Sequence, residues 1–184
     1  MDHMKIKIPS EERIRNIDVN SVLRELNIEN WDVLIIGDGS GSTWQNYCGW
    51  AALIIDRETQ GRRLIGGNAN MGSITFAEAM PYVQALSWFD HTYGSRRLKS
   101  VDKLSVHIVT DSTAIATIGS QISSKSKDSL RKHAYLAAFC QQMAKFRYDI
   151  QWHWLRREIA DGNRLVDGVS KALRLFGAGA LESQ

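Results

Sequence analysis

The sequence predicts an α/β fold: a mixed five-stranded sheet flanked by helices, preceded by an N-terminal helical extension. Three observations predict it. "WDVLIIGD" (residues 31–38) is an apolar run that ends in an acid, the mark of a strand buried on both faces. Two more β-type segments follow at once, separated by turn residues, as in a meander of hairpins. From residue 73 onward, helical and β-type spacing alternate, which is the pattern of βαβ units.

Each element has its own local reason. Residues 9–27 show polar helical spacing, with Ser10 as N-cap. The first strand, 31–38, leads into a Gly/Ser/Asn loop. "GWAALIID" (49–56) is the second strand, "RETQG" a turn, and "RRLIGGNA" (62–69) the third strand. Residues 73–94 switch to helical spacing between Ser73 as cap and Gly94 as stop, with Pro81 as a bend or a late start. "KLSVHIVTD" (103–111) is a fourth strand, again ending in an acid. A short helix after Ser112 and a longer one over 127–146 follow, with a serine-rich loop at 120–129. "DIQWHWL" (149–155) alternates as a fifth strand, and 161–176 forms an amphipathic helix. Residues 1–30 are thus the extension, 31–178 the main domain and 179–184 a tail.

Bulk composition narrows the function. A chain of 184 residues, 43% hydrophobic and 23% charged, suits one globular domain with a sizeable core. No apolar run is long enough to span a membrane, and the first residues lack the apolar core of a signal peptide. Cys48 and Cys140 lie far apart with no CxxC spacing, which argues against a structural zinc site and for a reducing, cytoplasmic compartment. A net charge of +3 permits a nucleic-acid partner without requiring one.

Four acids stand out. Ligand sites in open α/β sheets form beyond the carboxyl ends of strands, where Asp38 and Asp111 fall. Glu78 lies among Phe76, Ala77, Ala79 and Met80, so it does not sit on a solvated face. Asp167 follows Asn163 by four residues, on a similar side of the last helix. Singly, each has an ordinary role: turn residue, first-turn acid, N-cap or surface acid. Together they would need a counter-charge, and hard oxygen ligands without His or Cys select Mg²⁺ or Mn²⁺. Two such ions about 3.5–4 Å apart activate water and stabilise a leaving oxygen in phosphodiester cleavage. Trp44 suits either loop packing or a base platform. Trp152 and Trp154 share one strand face and read as core, and His153 reads as exposed.

The motifs "DGSG…GWAALI", "FAEAMPYVQAL", "VHIVTDS" and "NRLVDGVSKAL", in that order over residues 31–176, resemble type 1 ribonuclease H. The resemblance implies a ribonuclease H-like fold and an endonuclease that cuts the RNA strand of an RNA/DNA hybrid with two Mg²⁺ ions, for which Mn²⁺ can substitute. It implies that Asp38 bridges both metals, that Glu78 and Asp111 bind the one on the leaving-group side, and that Asp167, supported by Asn163, holds the one carrying the attacking water. Gly39, Ser40, Gly41, Ser73, Thr75, Ser112 and Arg157 are then the substrate-binding set. The chain departs from the family in three places. The loop before the last helix carries Arg157 and Glu158 in place of a His, as in a branch whose loop reads "RE", and the planar donors of Arg157 suit either a substrate phosphate or a site carboxylate. Ile74 stands where an Asn often grips the hybrid, and in place of a long basic handle there is only Lys125, Lys127, Arg131, Lys132 and His133. Two other functions fit the same residues: a metal-dependent DNA nuclease of resolvase or transposase type, and a non-catalytic RNA- or protein-binding scaffold. The extension either docks a protein partner or covers the sheet.

Overall fold

The computed structural model describes residues 9–41, 47–70, 74–94, 103–123 and 148–182. Trp44, Ser73, Cys140, the basic segment and the helix expected over 127–146 lie outside the described residues. The elements are α1 (Glu11–Arg15), α2 (Val19–Glu25), β1 (Val33–Gly41), β2 (Tyr47–Asp56), β3 (Arg62–Asn70), α3 (Ile74–Phe89), β4 (Ser105–Thr110), α4 (Thr113–Ser123), β5 (Asp149–Trp154) and α5 (Asp161–Glu182).

The five strands form one sheet in the order β3-β2-β1-β4-β5. The β1–β2 and β2–β3 pairs are antiparallel, and the β1–β4 and β4–β5 pairs are parallel, as the meander followed by βαβ units predicts. Alternate residues of β1 feed two separate cores. Val33 and Ile35 pack with α3 and α4, whereas Leu34 and Ile36 pack with Ile17, Val19 and Val22 of the N-terminal segment and Leu165 and Val166 of α5. Burial on both faces is the reason for the unbroken apolar run.

Several boundaries differ from the sequence reading. The N-terminal segment is two short helices, capped by the side chains of Ser10 and Asp18. It lies on the sheet, and Arg62 of β3 donates through Nη1 to the carbonyls of Ile14, Arg15 and Ile17. The Gly/Ser stretch after Asp38 is not loop at first: β1 continues to Gly41, with Gly39 opposite Trp50 and Gly41 opposite Cys48. Pairing of β1 with β4 stops at Ile36 and Val109, so the sheet splits there. Helix α3 starts well before Pro81, so the proline is no late start, and the helix ends in a π-helical turn, Asp90–Gly94. Helix α5 extends past Phe176 to Glu182.

The two β5 tryptophans part company. Trp152 is half-buried against the core, but Trp154 is 43% exposed. His153 is half-buried rather than exposed: its Nε2 is 2.9 Å from Nδ1 of His107, and the two rings are stacked. No helix among the described residues is long and apolar enough to cross a membrane.

Candidate active site

The site lies where β1 and β4 separate. The Tyr82 hydroxyl, buried inside the split, donates to the Gly37 carbonyl at 2.7 Å. One residue further along β1, Asp38 shares the parity of Leu34 and Ile36 and therefore faces α5. Asp111 follows the last residue of β4, and Asp167 lies two turns into α5. Glu78 comes from α3 on the opposite face.

Close backbone approach brings these helices in. A Cβ at Gly39 would lie 2.0 Å from the Ala77 carbonyl oxygen and 2.5 Å from the Glu78 nitrogen, so β1 touches α3 directly before its acid. Pro81 contributes, because it has no N–H to give the Ala77 carbonyl four residues back. A Cβ at Gly49 on β2 would meet the Ser170 carbonyl oxygen at 2.0 Å, so α5 lies equally close. The sequence reading assigns Gly39 to an open backbone for ligand; its first use is to admit a helix.

Arg157 is the hub of the acids. Its Nε and Nη2 reach Asp111 Oδ2 at 2.7 and 2.6 Å, and its Nη1 reaches Asp167 Oδ1 at 2.7 Å. Its Nη2 also lies 3.7 Å from Asp38 Oδ1. Ser170 donates to Asp38 Oδ2 at 2.5 Å, and Lys171 pairs with Asp167 Oδ2 at 2.9 Å. Glu78 stands outside this group but adjoins it through Ser112, whose hydroxyl donates to Glu78 Oε2 at 2.7 Å and accepts from the Ile115 N–H at the start of α4. Asn163 does not support Asp167 directly. Its Nδ2 donates to the Leu155 carbonyl, at the start of the loop that carries Arg157. Ser40 and Gly41 are half-buried in β1, and Thr75 is half-buried in the first turn of α3.

The electrostatics follow from this packing. Asp38 is 6% exposed, and its pKa is pushed up to about 6. Burial is the main cause and the Asp111 and Asp167 charges add to it, while the Ser170 hydroxyl and Arg157 oppose it. For Arg157, burial alone favours the neutral form, but hydrogen bonding and charge from Asp111, with the charges of Asp38 and Asp167, outweigh it and raise its pKa. The guanidinium therefore stays charged amid three carboxylates.

The residues fit a hard divalent cation. The candidate ligands Asp38, Glu78, Asp111 and Asp167 offer carboxylate oxygens alone, the donor type that hard divalent cations take. Among the described residues no three His, Cys, Asp or Glu side chains stand grouped as a cation cage, and Arg157 pairs with Asp111 and Asp167. Ser170, Lys171 and Tyr82 are absent from the sequence reading. Ser170 and Lys171 follow Asp167 by three and four residues, and Tyr82 follows Glu78 by four, so helical spacing from each acid is the signal that finds them.

Known structures share this architecture. The N-terminal RNase H domain of a Mycobacterium tuberculosis protein, solved as a maltose-binding-protein fusion, matches with TM-score 0.60 and 16% identity over 83% of this chain and 99% of that one. The LC11 RNase H1, a metagenomic protein from compost, solved with an RNA/DNA hybrid, matches with TM-score 0.61 and 15% identity over 79% of this chain and 99% of that one. The RNase H1 of the archaeon Halobacterium salinarum matches with TM-score 0.52 and 13% identity over 77% and 96%. No protein-family model and no curated protein sequence matches the chain.

Proposed function

On the ribonuclease H-like fold that this chain adopts, we propose an endoribonuclease that hydrolyses the RNA strand of RNA/DNA hybrids with two Mg²⁺ ions, leaving 5′-phosphate and 3′-hydroxyl ends. Mn²⁺ substitutes for Mg²⁺ in this reading. The observation that carries it is the convergence of Asp38, Asp111 and Asp167 on one guanidinium at the split in the sheet, with Glu78 one hydrogen bond away.

Asp38, Glu78, Asp111 and Asp167 would hold the cations. Bound there, the ions would supply a water of lowered pKa and charge to offset that of the leaving oxygen. The chain's own residues set the geometry. Ser170 fixes the rotamer of Asp38. Ser112 fixes Glu78 beside Asp111. Arg157 is 39% exposed, and the N–H groups of its planar fork not taken by the acids would meet a substrate phosphate. A hybrid presents 2′-hydroxyls on one strand only, and Glu78 with the β1 segment Gly39–Gly41 forms the edge that would read them. The hybrid-bound LC11 neighbour supports this choice of substrate.

The test compares a hybrid, an all-DNA duplex and an all-RNA duplex of one sequence, each with Mg²⁺ and with chelator. We expect Mg²⁺-dependent cleavage of the hybrid alone. A DNA duplex carrying a short ribonucleotide run should be cut within that run only. Equal cutting of all-DNA duplex would replace this reading with a DNA nuclease, and no cutting of any duplex would favour a binding scaffold.

A further inference from the structure

Trp154 is the one large aromatic among the exposed hydrophobic side chains of the described residues. Single exposed apolar residues are ordinary, but this one has a fixed orientation and a particular neighbour. Its indole Nε1 donates to the main-chain carbonyl of Asp111 at 3.0 Å. The carboxylate of that same Asp111 is the one Arg157 grips twice. The ring is therefore pinned beside the acids at the carboxyl end of β5, and it does not turn inward to the core as Trp152 does. Two further exposed apolar chains lie close in sequence to the site residues. Ile159 lies two residues beyond Arg157, and Ile74 opens α3 one turn before Glu78.

We propose, resting on the nucleic-acid reading above, that Trp154 is a substrate-contacting residue whose indole packs against the sugar next to the phosphate being cut. Charge alone would leave a polynucleotide loosely placed over a cluster of acids. A flat, pre-oriented ring gives it a neutral contact that does not compete with cations. In a paired duplex the bases are stacked on one another, so the apolar surface available to a ring at the backbone is the C–H face of a sugar. Aromatic contacts of this kind tolerate any sequence, which suits an enzyme that reads strand type. The indole N–H needs no substrate partner, because Asp111 already accepts it.

The test measures hybrid binding in chelator by anisotropy, together with Mg²⁺-dependent steady-state kinetics, for Trp154→Ala and Trp154→Phe. Trp154→Ala should weaken binding and raise KM about 5- to 50-fold, with kcat held within about twofold and the slope of log Kd against log salt unchanged. Trp154→Phe, which keeps a ring and loses the N–H, should bind within about threefold of the parent chain. Binding by Trp154→Ala within twofold of the parent overturns the proposal. A Phe variant as impaired as the Ala variant, with kcat reduced, also overturns it, because the effect then runs through the Asp111 carbonyl. If the parent chain itself binds no hybrid, the substrate reading falls and this contact falls with it.

Discussion

Arg157 and Asp111 are joined twice through one oxygen: Nε and Nη2 of the guanidinium both reach Oδ2, at 2.7 and 2.6 Å. The remaining Nη1 is spent on Asp167. A cation entering among these carboxylates must therefore displace an arginine, and apart from Lys171 on Asp167, that arginine is what offsets the mutual repulsion of the acids without metal.

Replacing Arg157 by Ala should therefore have two opposite effects. The metal-free protein loses about 1 kcal/mol of stability, a modest figure because the side chain is 39% exposed. Mg²⁺ binding, read by calorimetry, becomes several-fold tighter because its competitor is gone. Turnover falls if Arg157 also meets substrate phosphate. Weaker Mg²⁺ binding in the variant would show that the guanidinium helps to hold the ion.

Asp38→Asn should abolish cleavage and stabilise the metal-free fold. Asp38 titrates near 6 against 3.8 for the free group. Its folded pKa is raised, so its contribution to stability is greatest below 3.8 and is lost as pH rises through 6. At neutral pH the charged form is thus a burden of about 1–3 kcal/mol, which the amide removes. Melting in chelator at pH 7.5 should rise in the variant, and added Mg²⁺ should stabilise the parent chain only.

The paired histidines give the opposite pH dependence. Burial, and secondarily His107, lowers the pKa of His153 from 6.5 to about 4. His107 is lowered too: burial outweighs the Asn30 carbonyl and the charges of Asp149 and Asp32, all of which favour its protonated form. Because the folded protein resists protonation here, stability falls as pH drops from 6.5 towards 4. His153→Asn should flatten that acid limb in melting curves taken between pH 7 and pH 4. An unchanged limb would place the acid sensitivity elsewhere.

Arg62→Ala should loosen the N-terminal helices. One nitrogen of Arg62 serves three carbonyls at the end of α1 and the turn after it. Charged hydrogen bonds of this kind contribute about 1.5–3 kcal/mol in total, or roughly 3–12 °C in melting temperature for a domain of this size. Hydrogen exchange should quicken at Val19 and Val22 before it does so in β1.

Gly39→Ala should be worse than any of these for folding. The obstacle is the Ala77 carbonyl at 2.0 Å, which is backbone and cannot rotate away. A loss of about 3 kcal/mol or more is expected, read as a fall in soluble yield and melting temperature. Wild-type stability in this variant would mean that α3 can slide on β1.

How much of this was legible in the sequence depends on the range of the interaction. Strand identity and order were readable because the apolar run of residues 33–36 and the alternation in β5 are local patterns. The acids were readable as strand-end and helix-face residues. The end of β1 was not, because glycine and serine look like loop until a partner strand, here Trp50 to Cys48, is seen to pair with them. His153 looked exposed because its partner His107 lies 46 residues away. Trp154 looked like core because parity assigns a face but not where that face runs out of neighbours. Arg157 was a candidate from its loop, yet that one side chain reaches three acids from three elements is a fact of tertiary structure alone.

The Ser170–Asp38 hydrogen bond spans 132 residues. Contacts of such separation close late, because the chain between them must be ordered first. A nascent chain that has emerged only as far as β5 holds Asp38, Glu78, Asp111 and the strands that carry them, but lacks Ser170 to orient the first acid and Asp167 to complete the set. On the proposed function, a chain still in synthesis would therefore be silent, and cleavage would begin only once α5 docks. Docking of the last helix and completion of the acid set are then one event.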